Sequence, residues 1–465
     1  MSTAALVLAA GEGTRMKSGL PKVAHPVLGV PMITLVVAAA REAGCDPVVV
    51  ITGHSADAVE ALIPGETCAR QDLQLGTGHA VMCGEAALAG YSGSLLVLSG
   101  DTPLMRPATL RALVAAREGG GAAMSVLTAR VPDPTLGRIV RGADGSVDAI
   151  VEAKDATLEQ ARIDEVNTGT YCFEARTLFE HLHRVRTDNA QGEYYLTDMV
   201  AVLRAEGLPV VALTTEDAAE GMGVNTRIQL AEATRVLQRR VNDAHMLAGV
   251  TMTDPTLVWV SPTVRIGRDV VLEPMTFLTG DTTVADGATI GPSARVHDSE
   301  IGPRARVDSS VLTGVKVGPD ATVGPMGFLR PGTRLEARAK TGAFVEVKNS
   351  HIGEGSKVPH LSYIGDAEIG SDVNVGAGSI TCNYDGRGKH RTVIGDGAFI
   401  GSDTMLVAPV TVGERAVTGA GSAIAKDVPP GALGIERTGQ RNVEGWADRK
   451  AAEDTTDTQG SSTQS

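Results

Sequence analysis

Four of the polar side chains in the segment 342–366 stand among regularly spaced apolar residues and could do chemistry, namely Glu346, Lys348, His360 and Tyr363. An imidazole, with an ordinary pKa of about 6.5, can take a proton from an amine as the amine attacks a thioester. A carboxylate can fix the tautomer of that imidazole and stabilise its charged form. Glu346 precedes His360 by fourteen residues, within reach of it if the chain forms stacked coils. A lone histidine is more often structural, so the prediction depends on the surrounding fold.

A second group of candidate residues follows an apolar run at residues 4–9. Gly11 and Gly13 come directly after it, followed by Arg15 and Lys22. Two glycines let successive backbone N–H groups converge on an anion, because no Cβ blocks the approach. The spacing matches neither GxxxxGK[ST] nor GxGxxG. The segment therefore indicates either an anion-binding loop of another kind or a plain turn.

A third candidate, Asp101, follows the apolar run at residues 94–98. A carboxylate just past the end of a buried strand can hold a divalent cation against phosphate oxygens, and Mg²⁺ usually takes one or two carboxylates together with phosphates and water. The alternative is that Asp101 caps a turn before Pro103.

The elements that must position these residues differ along the chain. Apolar runs at 4–9, 47–52 and 94–98 alternate with helical patterns such as 32–43, which predicts a mostly parallel sheet covered on both faces. Ligands bind such sheets at the carboxyl ends of the strands. A helix of about 24 residues, roughly 36 Å long, is expected over 225–249. Its apolar face is predicted to comprise Leu230, Leu237, Val241, Ala244 and Ala248.

Beyond residue 250 the apolar residues recur every six positions. Three series carry the period: Ile394, Ile400, Leu406, Val412, Thr418 and Ile424; Val311, Val317, Val323, Leu329 and Leu335; and Val284, Ile290 and Val296. Neither a helix nor an ordinary strand has this period, which is typical of a parallel β-helix. The period breaks at 376–390, which predicts a loop leaving the coil.

Composition limits the class of protein. A chain of 465 residues with 43% hydrophobic residues predicts several globular domains. No apolar run approaches the ~18 residues of a membrane span, and the apolar N-terminus lacks the basic region of a signal peptide. Five scattered cysteines without a CxxC motif indicate reduced thiols in the cytoplasm. A net charge of −13 argues against nucleic acid as a partner.

The N-terminal motif LAAGEGTRMKSGLPKVAHPVLGVPM resembles the signature of sugar-nucleotide pyrophosphorylases, in particular the uridylyltransferase half of the bifunctional GlmU family. QDLQLGTGHAV, LSGDTPL, LGRIVR, EVNTGTYCF and GVNTRIQLAEA match in the same order. The resemblance implies Mg²⁺ ligated by Asp101 and Asn225, and a catalytic role in charge screening for Arg15 and Lys22. It implies that UTP and the sugar nucleotide contact Leu8, Ala9, Ala10, Gly11, Lys22, Gln71, Gly76, Thr77, Ser99, Gly100, Asp101, Gly137, Glu152, Asn167 and Asn225.

The repeat resembles the left-handed β-helix of the hexapeptide acyltransferases, which are typically homotrimers, and 342–366 is similar to the acetyltransferase half of the same family. The resemblance implies that His360 is the general base and that Glu346 orients it. Glucosamine 1-phosphate would be bound by Arg330, Lys348, Tyr363 and Asn374. Acetyl-CoA would be contacted by Ala377, Asn383, Tyr384, Ser402, Ala420 and Arg437.

The expected fold class is therefore an α/β nucleotidyltransferase with a Rossmann-like, mostly parallel sheet, followed by a left-handed parallel β-helix of hexapeptide repeats. The expected domains are 1–224, a helical linker arm at 225–249, the β-helix at 250–435, and a tail at 436–465 whose end is disordered. The expected function is a bifunctional acetyltransferase and uridylyltransferase. Two alternatives are a single-function pyrophosphorylase with a regulatory β-helix and a non-enzymatic scaffold.

Overall fold

A computed structural model describes residues 2–53, 55–143 and 145–452 of the chain. The chain forms two compact units: one runs up to Arg268 and includes Leu272–Thr282, and the other comprises Asp269–Val271 and the chain from Thr283 onward. Residues 436–452 of the predicted tail are exposed, and the end of that tail, 453–465, lies outside the described residues. No helix in the described ranges is long and apolar enough to span a bilayer.

The first unit is built on a mixed sheet with helices around it. Its strands are β1 (Thr3–Leu8), β2 (Pro26–Val27), β3 (Val30–Pro31), β4 (Cys45–Thr52), β5 (Thr67–Arg70), β6 (Ser94–Ser99), β7 (Met124–Arg130), β8 (Arg138–Arg141), β9 (Val147–Val151), β10 (Glu165–Glu174) and β11 (Val210–Thr214). Its helices are α1 (Met32–Glu42), α2 (Ala56–Glu60), α3 (Thr77–Gly84), α4 (Pro107–Gly119), α5 (Ala175–Leu182), α6 (Met199–Ala205) and α7 (Arg227–Leu247).

The main sheet has the strand order β11-β7-β10-β6-β1-β4-β5, and β8 and β9 extend it from β10. β1 lies parallel to β4 and β6, whereas β10 is antiparallel to both β6 and β7. β1 is buried on both faces, as its continuous apolar run predicts. Its last residue, Leu8, pairs with Ser99 at the end of β6. The loops that carry Gly11 and Asp101 therefore leave the same edge of the sheet.

The long helix α7 forms where the sequence predicts it, but its buried face is different. It begins with a capping box between Thr226 and Gln229, as such a sequence favours. Ala244 and Ala248, predicted on the apolar face, are exposed. The buried positions are instead Ala233 and two amides, Gln238 and Asn242. Gln238 Nε2 and Asn242 Nδ2 donate to backbone carbonyls between Pro255 and Val258. A search for apolar periodicity cannot detect this arrangement, because both buried side chains are polar.

The remaining chain contributes short strands. They are β12 (Thr251–Met252), β13 (Val258–Val260), β14 (Arg265–Ile266), β15 (Val271–Leu272), β16 (Thr276–Thr279), β17 (Thr283–Val284), β18 (Thr289–Ile290), β19 (Arg295–His297), β20 (Glu300–Ile301), β21 (Arg306–Val307), β22 (Val311–Thr313), β23 (Lys316–Val317), β24 (Thr322–Val323), β25 (Phe328–Leu329), β26 (Arg334–Leu335), β27 (Lys340–Ala343), β28 (Glu346–Lys348), β29 (His351–Ile352), β30 (Lys357–His360), β31 (Tyr363–Gly365), β32 (Ala367–Ile369), β33 (Asn374–Val375), β34 (Ile380–Cys382), β35 (Thr392–Ile394), β36 (Phe399–Ile400), β37 (Met405–Val407), β38 (Val410–Val412), β39 (Val417–Thr418), β40 (Ala423–Ile424) and β41 (Leu433–Gly434).

Within the second unit each strand pairs in parallel with the third strand after it, so the coil has three faces. These sheets run β18-β21-β24-β27-β30-β33-β36-β39-β41, β19-β22-β25-β28-β31-β34-β37-β40 and β17-β20-β23-β26-β29-β32-β35-β38. On the third face the side chains that stack in register inside the coil are Val317, Leu335, Ile352, Ile369, Ile394 and Val412. None of them is more than 3% exposed. The predicted hexapeptide β-helix is thus confirmed.

Two details of the predicted repeat were wrong. Val311 is only partly buried, and its neighbour Leu312 points inward with 0% exposure, because the next inward residue, Val317, follows Leu312 after five positions rather than six. The break was predicted to begin at 376, but 376–382 remain in the coil, with Ile380 in β34. The chain leaves the coil after Cys382, in a loop closed by a bridge between Tyr384 and Lys389.

Candidate functional sites

The first candidate site is a cavity of about 310 Å³ at the edge of the main sheet where β1 and β6 end. Gly100 was also predicted to contact the ligand, but it does not line the cavity. Its N–H donates to Leu8 O at 2.8 Å, and a Cβ at this position would lie 3.0 Å from the same oxygen. The predicted residues that line the cavity are Leu8, Ala9, Ala10, Gly11, Lys22, Gln71, Gly76, Thr77, Ser99 and Asp101.

Charged groups converge at one end of this cavity. The Lys22 ammonium forms an ion pair with Asp101 and donates to Asn225 Oδ1 at 3.1 Å. Arg15 Nη2 donates to the same Asn225 oxygen at 3.0 Å. Val224 N bonds to Asp101 O at 2.9 Å, which brings the start of the α7 segment to the end of β6. Residues that are 210 positions apart therefore meet at one point.

The donor set at this point fits a magnesium ion held together with phosphate. Asp101 Oδ2 and Asn225 Oδ1 both accept from the one Lys22 ammonium, so the two oxygens already face a common cationic position. One carboxylate with one amide oxygen is too few for a cage made of protein alone, but Mg²⁺ usually completes its coordination with phosphates and water. No cluster of three or more His, Cys, Asp or Glu ligands occurs among the described residues.

Amide groups occupy another part of the same cavity. Gln71 is buried, and its Nε2 lies 3.1 Å from Gly76 O and 3.0 Å from His79 Nδ1. The Gly76 backbone, at φ 105°, packs against Tyr194, where a Cβ would approach Tyr194 O to 2.6 Å. Only glycine suits this conformation and this close approach. A side-chain amide such as that of Gln71 can recognise the edge of a nucleic-acid base by hydrogen bonding.

Gly137, Glu152 and Asn167 form a separate cluster in the same unit. A Cβ on Gly137 would lie 3.5 Å from Glu152 Oε2, and Asn167 N donates to Gly137 O at 2.9 Å. Thr197 donates to Glu152 Oε1 at 3.2 Å. Burial raises the pKa of Glu152 above its ordinary value of 4.5, and the bond from Thr197 offsets this only in part. These residues do not line the first cavity itself.

The second candidate site lies on the coil of the second unit. His360 ends β30, its side chain is exposed, and its ring makes no hydrogen bond to another described residue. Asn374 begins β33, the next strand of the same sheet. Glu346 and Tyr363 pair side by side on β28 and β31 of the neighbouring sheet. Because the coil is regular, residues up to 28 positions apart, Glu346 and Asn374, lie on neighbouring turns.

The partner of Glu346 differs from the expectation. Arg330 Nη1 donates to Glu346 Oε1 at 3.0 Å, and no hydrogen bond joins Glu346 to His360 among the described residues. The observed coil repeat pairs Glu346 with Tyr363 and Ala343 with His360. Glu346 and His360, fourteen residues apart, therefore lie on two different sheets of the coil. Arg330 follows the strand one turn earlier on the same sheet as Glu346, and it is the partner of Glu346 instead.

Lys348 and Asn383 meet at a carboxylate that was not predicted, Asp366. Lys348 Nζ lies 3.0 and 3.1 Å from the two Asp366 oxygens, and Asn383 Nδ2 donates to Oδ2. Hydrogen bonds with Lys389 and Asp366 raise the pKa of Lys348, whereas the bond with Lys348 and its charge lower the pKa of Lys389. Asp366 follows an Ile-Gly pair at a coil corner, so the sequence indicates only a turn there.

Three of the residues predicted to contact acetyl-CoA, Ala377, Ser402 and Ala420, follow one corner of the coil. Ala377 O accepts from Asp403 N, Ser402 O accepts from Gly421 N, and Arg437 Nη1 donates to Ala420 O at 2.9 Å. Ala377, Ser402 and Ala420 therefore occupy successive turns at one place. Tyr384 lies in the loop after β34 and is 61% exposed.

Comparison with known proteins identifies the family of this chain. Residues 5–194 match the family model of the MobA-like NTP transferase domain, and residues 391–426 match that of the bacterial transferase hexapeptide, in six repeats. A bifunctional protein GlmU from Trichlorobacter lovleyi is 51% identical over 96% of this chain and 98% of its own length. Those of Streptomyces avermitilis and Thermobifida fusca are 51% and 52% identical, each over 96% of this chain and 94% of the relative.

The chain belongs to the GlmU family of bifunctional proteins. Membership in the GlmU family confirms the predicted class of function, a bifunctional acetyltransferase and uridylyltransferase, and sets aside the single-function and non-enzymatic alternatives. It also agrees with the fold, since the two matched segments fall on the sheet and on the coil.

Some residues at the two GlmU-family sites were missed from the sequence. Gln74 and Glu193 line the cavity where β1 and β6 end, and Gln74 Nε2 donates to Ala10 O at 2.6 Å. Gln74 is part of the quoted motif QDLQLGTGHAV, so its nearness to Gln71 was an available signal. Glu193 stands in NAQGEYYLTD, another segment similar to the same family, but its place at the cavity depends on the contact between Gly76 and Tyr194, which the motif does not predict.

Proposed function

We propose that the protein acetylates glucosamine 1-phosphate with acetyl-CoA and then couples the product to UTP, which yields UDP-N-acetylglucosamine and pyrophosphate. The observation that carries this proposal is the presence, in each unit, of a complete polar cluster suited to one step. Lys22, Asp101 and Asn225 suit an anion-on-anion reaction, and the free ring of His360, on the same coil as the cations Arg330 and Lys348, suits acyl transfer to a phosphorylated amine.

In the acetylation step, the amine of glucosamine 1-phosphate attacks the thioester carbonyl of acetyl-CoA. His360, whose ring has no hydrogen bond to another described residue, accepts the proton that the amine loses. The C–S bond breaks, and the thiol of coenzyme A leaves. Arg330 and Lys348 hold the sugar phosphate, together with Tyr363 and Asn374. Ala377, Asn383, Tyr384, Ser402, Ala420 and Arg437 contact acetyl-CoA.

In the uridylyl step, a phosphate oxygen of N-acetylglucosamine 1-phosphate attacks the α-phosphorus of UTP, and pyrophosphate leaves. Both reactants are anions, so Lys22 and Arg15 reduce the repulsion and stabilise the charge of the transferring group. The nucleotide occupies the cavity between Gly11 and Gln71, and Gly137, Glu152 and Asn167 hold the sugar. No residue acts as a nucleophile, since positioning and electrostatics suffice.

Magnesium is the cofactor we assign to the uridylyl step, with Asp101 and Asn225 as its protein ligands. When bound, the ion neutralises phosphate charge and orients the triphosphate. Lys22, which contacts both oxygens in the described structure, would then turn toward the phosphates.

We also propose that the enzyme is a cytoplasmic homotrimer. The coil of hexapeptide repeats is typical of trimeric acyltransferases, and exposed apolar side chains on it, such as Phe344 and Leu361, offer surface for a second copy. All five cysteines are free thiols, which suits a reducing compartment.

Assays that omit one component at a time test the function. The complete mixture contains glucosamine 1-phosphate, acetyl-CoA, UTP and Mg²⁺. The absence of free thiol from acetyl-CoA would contradict the acetyltransferase. The absence of pyrophosphate from N-acetylglucosamine 1-phosphate and UTP would contradict the uridylyltransferase.

Two variants test the assignment of sites. His360→Ala is expected to abolish acetylation and retain uridylyl transfer, and Asp101→Ala is expected to do the reverse. If either folded variant loses both activities, the sites are not separate.

A further inference from the structure

Asp366 occupies a turn after β31 where its carboxylate gathers four hydrogen bonds. Oδ1 accepts from Lys348 Nζ at 3.0 Å and from Asn349 Nδ2 at 2.7 Å. Oδ2 accepts from Lys348 Nζ at 3.1 Å and from Asn383 Nδ2 at 2.5 Å. The Asp366 side chain is only 13% exposed, and its backbone has φ 51°. Aspartate and asparagine are among the few residues with a side chain that adopt this conformation readily.

The partners of Asp366 come from both sides of the proposed reaction. Lys348 lies on β28 and is assigned to the phosphate of the amino sugar, whereas Asn383 follows β34 and is assigned to the acyl donor. A single carboxylate therefore bridges a residue of one turn to a residue two turns later. Because Lys348 and Asn383 are 35 positions apart in sequence, no local element holds them together.

The charge balance indicates that the carboxylate is ionised. Burial alone would raise the pKa of Asp366, but the bonds from Asn349, Lys348 and Asn383 outweigh it and lower the pKa below 3.8. An ionised Asp366 balances one of the positive charges that Arg330, Lys348 and Lys389 bring to this face. Without it, the Lys348 ammonium would be free to swing toward solvent, and Asn383 would lose an acceptor.

We propose that Asp366 is a positioning residue that fixes Lys348 and Asn383 in one geometry, so that the amino-sugar phosphate and the acyl donor are bound in register with each other. Asp366 touches neither reactant and acts through these two side chains. The inference rests on the proposed acetyltransferase function. It predicts a specific signature: loss of Asp366 weakens the binding of both substrates of this step, although its own contacts are confined to protein groups.

The test is Asp366→Asn in the full-length protein. Asparagine keeps the size and the backbone preference of aspartate and removes the charge. The expected result is a rise of about tenfold or more in KM for glucosamine 1-phosphate and also in KM for acetyl-CoA, since hydrogen bonds to charged groups are the stronger ones. The uridylyl activity of the same preparation is expected to stay at the wild-type level.

Asp320→Asn is the matched control. Asp320 has a nearly identical backbone conformation, φ 56°, and an ion pair with Arg304, but it is exposed and contacts none of the assigned residues. A double variant, Lys348→Met with Asp366→Asn, is expected to lose less than the product of the two single losses, because both changes remove the same interaction.

Three results would overturn the inference. They are unchanged KM values, a rise in only one of the two KM values, and a joint loss of both activities with a lower melting temperature, which would mark Asp366 as merely structural. The assay on the wild-type protein separates this failure from a failure of the proposed function. If the wild-type protein releases no thiol from acetyl-CoA, the function itself is wrong; if it does and the variant behaves like it, only the role of Asp366 is wrong.

Discussion

Glu346 shows how the role of a carboxylate depends on which neighbour it contacts. Its Oε1 accepts a hydrogen bond from Arg330 Nη1 at 3.0 Å, and both side chains are about two-fifths exposed. An ion pair of this exposure contributes little to stability, so its main effect is to aim the guanidinium. We therefore propose that Glu346 acts on the binding of the sugar phosphate through Arg330 rather than on the basicity of His360.

Glu346→Gln distinguishes these two roles. If Glu346 aims Arg330, we expect KM for glucosamine 1-phosphate to rise a few-fold, because a partly exposed pair is worth at most about 1 kcal/mol. The pH dependence of acetylation should keep its wild-type midpoint. An orienting role toward His360 would instead shift that midpoint, which a pH profile of kcat/KM measures, and such a shift would contradict our interpretation.

Glu152 provides a pH-dependent prediction in the first unit. Burial raises the pKa of this carboxyl above 4.5, so the folded protein binds the proton more tightly than the unfolded chain does. The free energy of unfolding therefore falls as pH rises through the raised pKa. We expect Glu152→Gln to gain stability relative to wild type between a pH of about 4.5 and 7, as measured by urea unfolding.

The control for this prediction is Glu159→Gln, since Glu159 is exposed and should show no such change with pH. A constant difference between Glu152→Gln and wild type across that range, or a difference of opposite sign, would show that Glu152 carries no buried charge in the folded protein.

At the residue scale, sequence motifs predict those residues whose position is marked by their immediate neighbours in the chain. Gly11 and Asp101 line one cavity because each follows a strand end that its apolar run marks, and Lys22 lines it from the segment after Gly11. Asp366 was not predicted, because its role depends on a pairing between turns 17 and 18 residues apart. A single polar residue at a turn carries no sign of such partners.

At the scale of elements, α7 shows what apolar periodicity misses. Its existence and its N-terminal cap follow from the sequence. Its packing does not, because the buried positions Gln238 and Asn242 are polar. Their amides satisfy backbone carbonyls of the segment 255–258, which has too little regular structure to satisfy them itself.

Gln238→Leu tests this packing. The substitution leaves carbonyls of Thr256 and Val258 with fewer donors in a buried place, so we expect a loss of about 1–3 kcal/mol in the free energy of unfolding. Trp259 lies next to Val258, so its fluorescence follows the unfolding of this segment in urea. Arg239→Ala, on the exposed side of the same helix, should leave the curve unchanged. Equal curves for Gln238→Leu and wild type would mean that the amide is dispensable.

The tight spacing of the coil leads to a prediction at Gly342. This glycine lies on β27, and a Cβ there would come within 1.9 Å of Pro359 O on β30. Pro359 directly precedes His360, so Gly342→Ala must displace the backbone that carries the proposed base. A displacement of about 1 Å can cost roughly a hundredfold in rate. We expect acetylation to fall by about that factor while uridylyl transfer persists.

Gly119→Ala is the comparison for Gly342→Ala, because a Cβ at Gly119 meets no atom within 4 Å. Both activities should survive it. Acetylation at the wild-type rate in Gly342→Ala would show that the coil relaxes around the added methyl group without moving His360.

At the scale of the whole molecule, each proposed site is built from residues of one unit only. The uridylyl site draws on positions from Leu8 to Asn225, and the acetyl site on positions from Arg330 to Arg437, so neither chemistry needs a side chain from the other unit. This separation follows from the folds. In a parallel sheet the loops after the strands meet at one edge, and in a coil residues one turn apart lie next to each other. Each fold therefore builds its site from its own residues.

Since the two sites share no residue, the intermediate N-acetylglucosamine 1-phosphate is expected to pass through bulk solvent. Two variants mixed in one vessel test this. His360→Ala alone and Asp101→Ala alone should each fail to make UDP-N-acetylglucosamine from glucosamine 1-phosphate, acetyl-CoA and UTP, whereas the mixture should succeed after a lag in which the intermediate accumulates. A second measurement uses the wild-type enzyme with labelled glucosamine 1-phosphate and added unlabelled intermediate. Release into solvent dilutes the label in the product to the level of the free pool, whereas undiluted label would show that the intermediate is retained between the two steps.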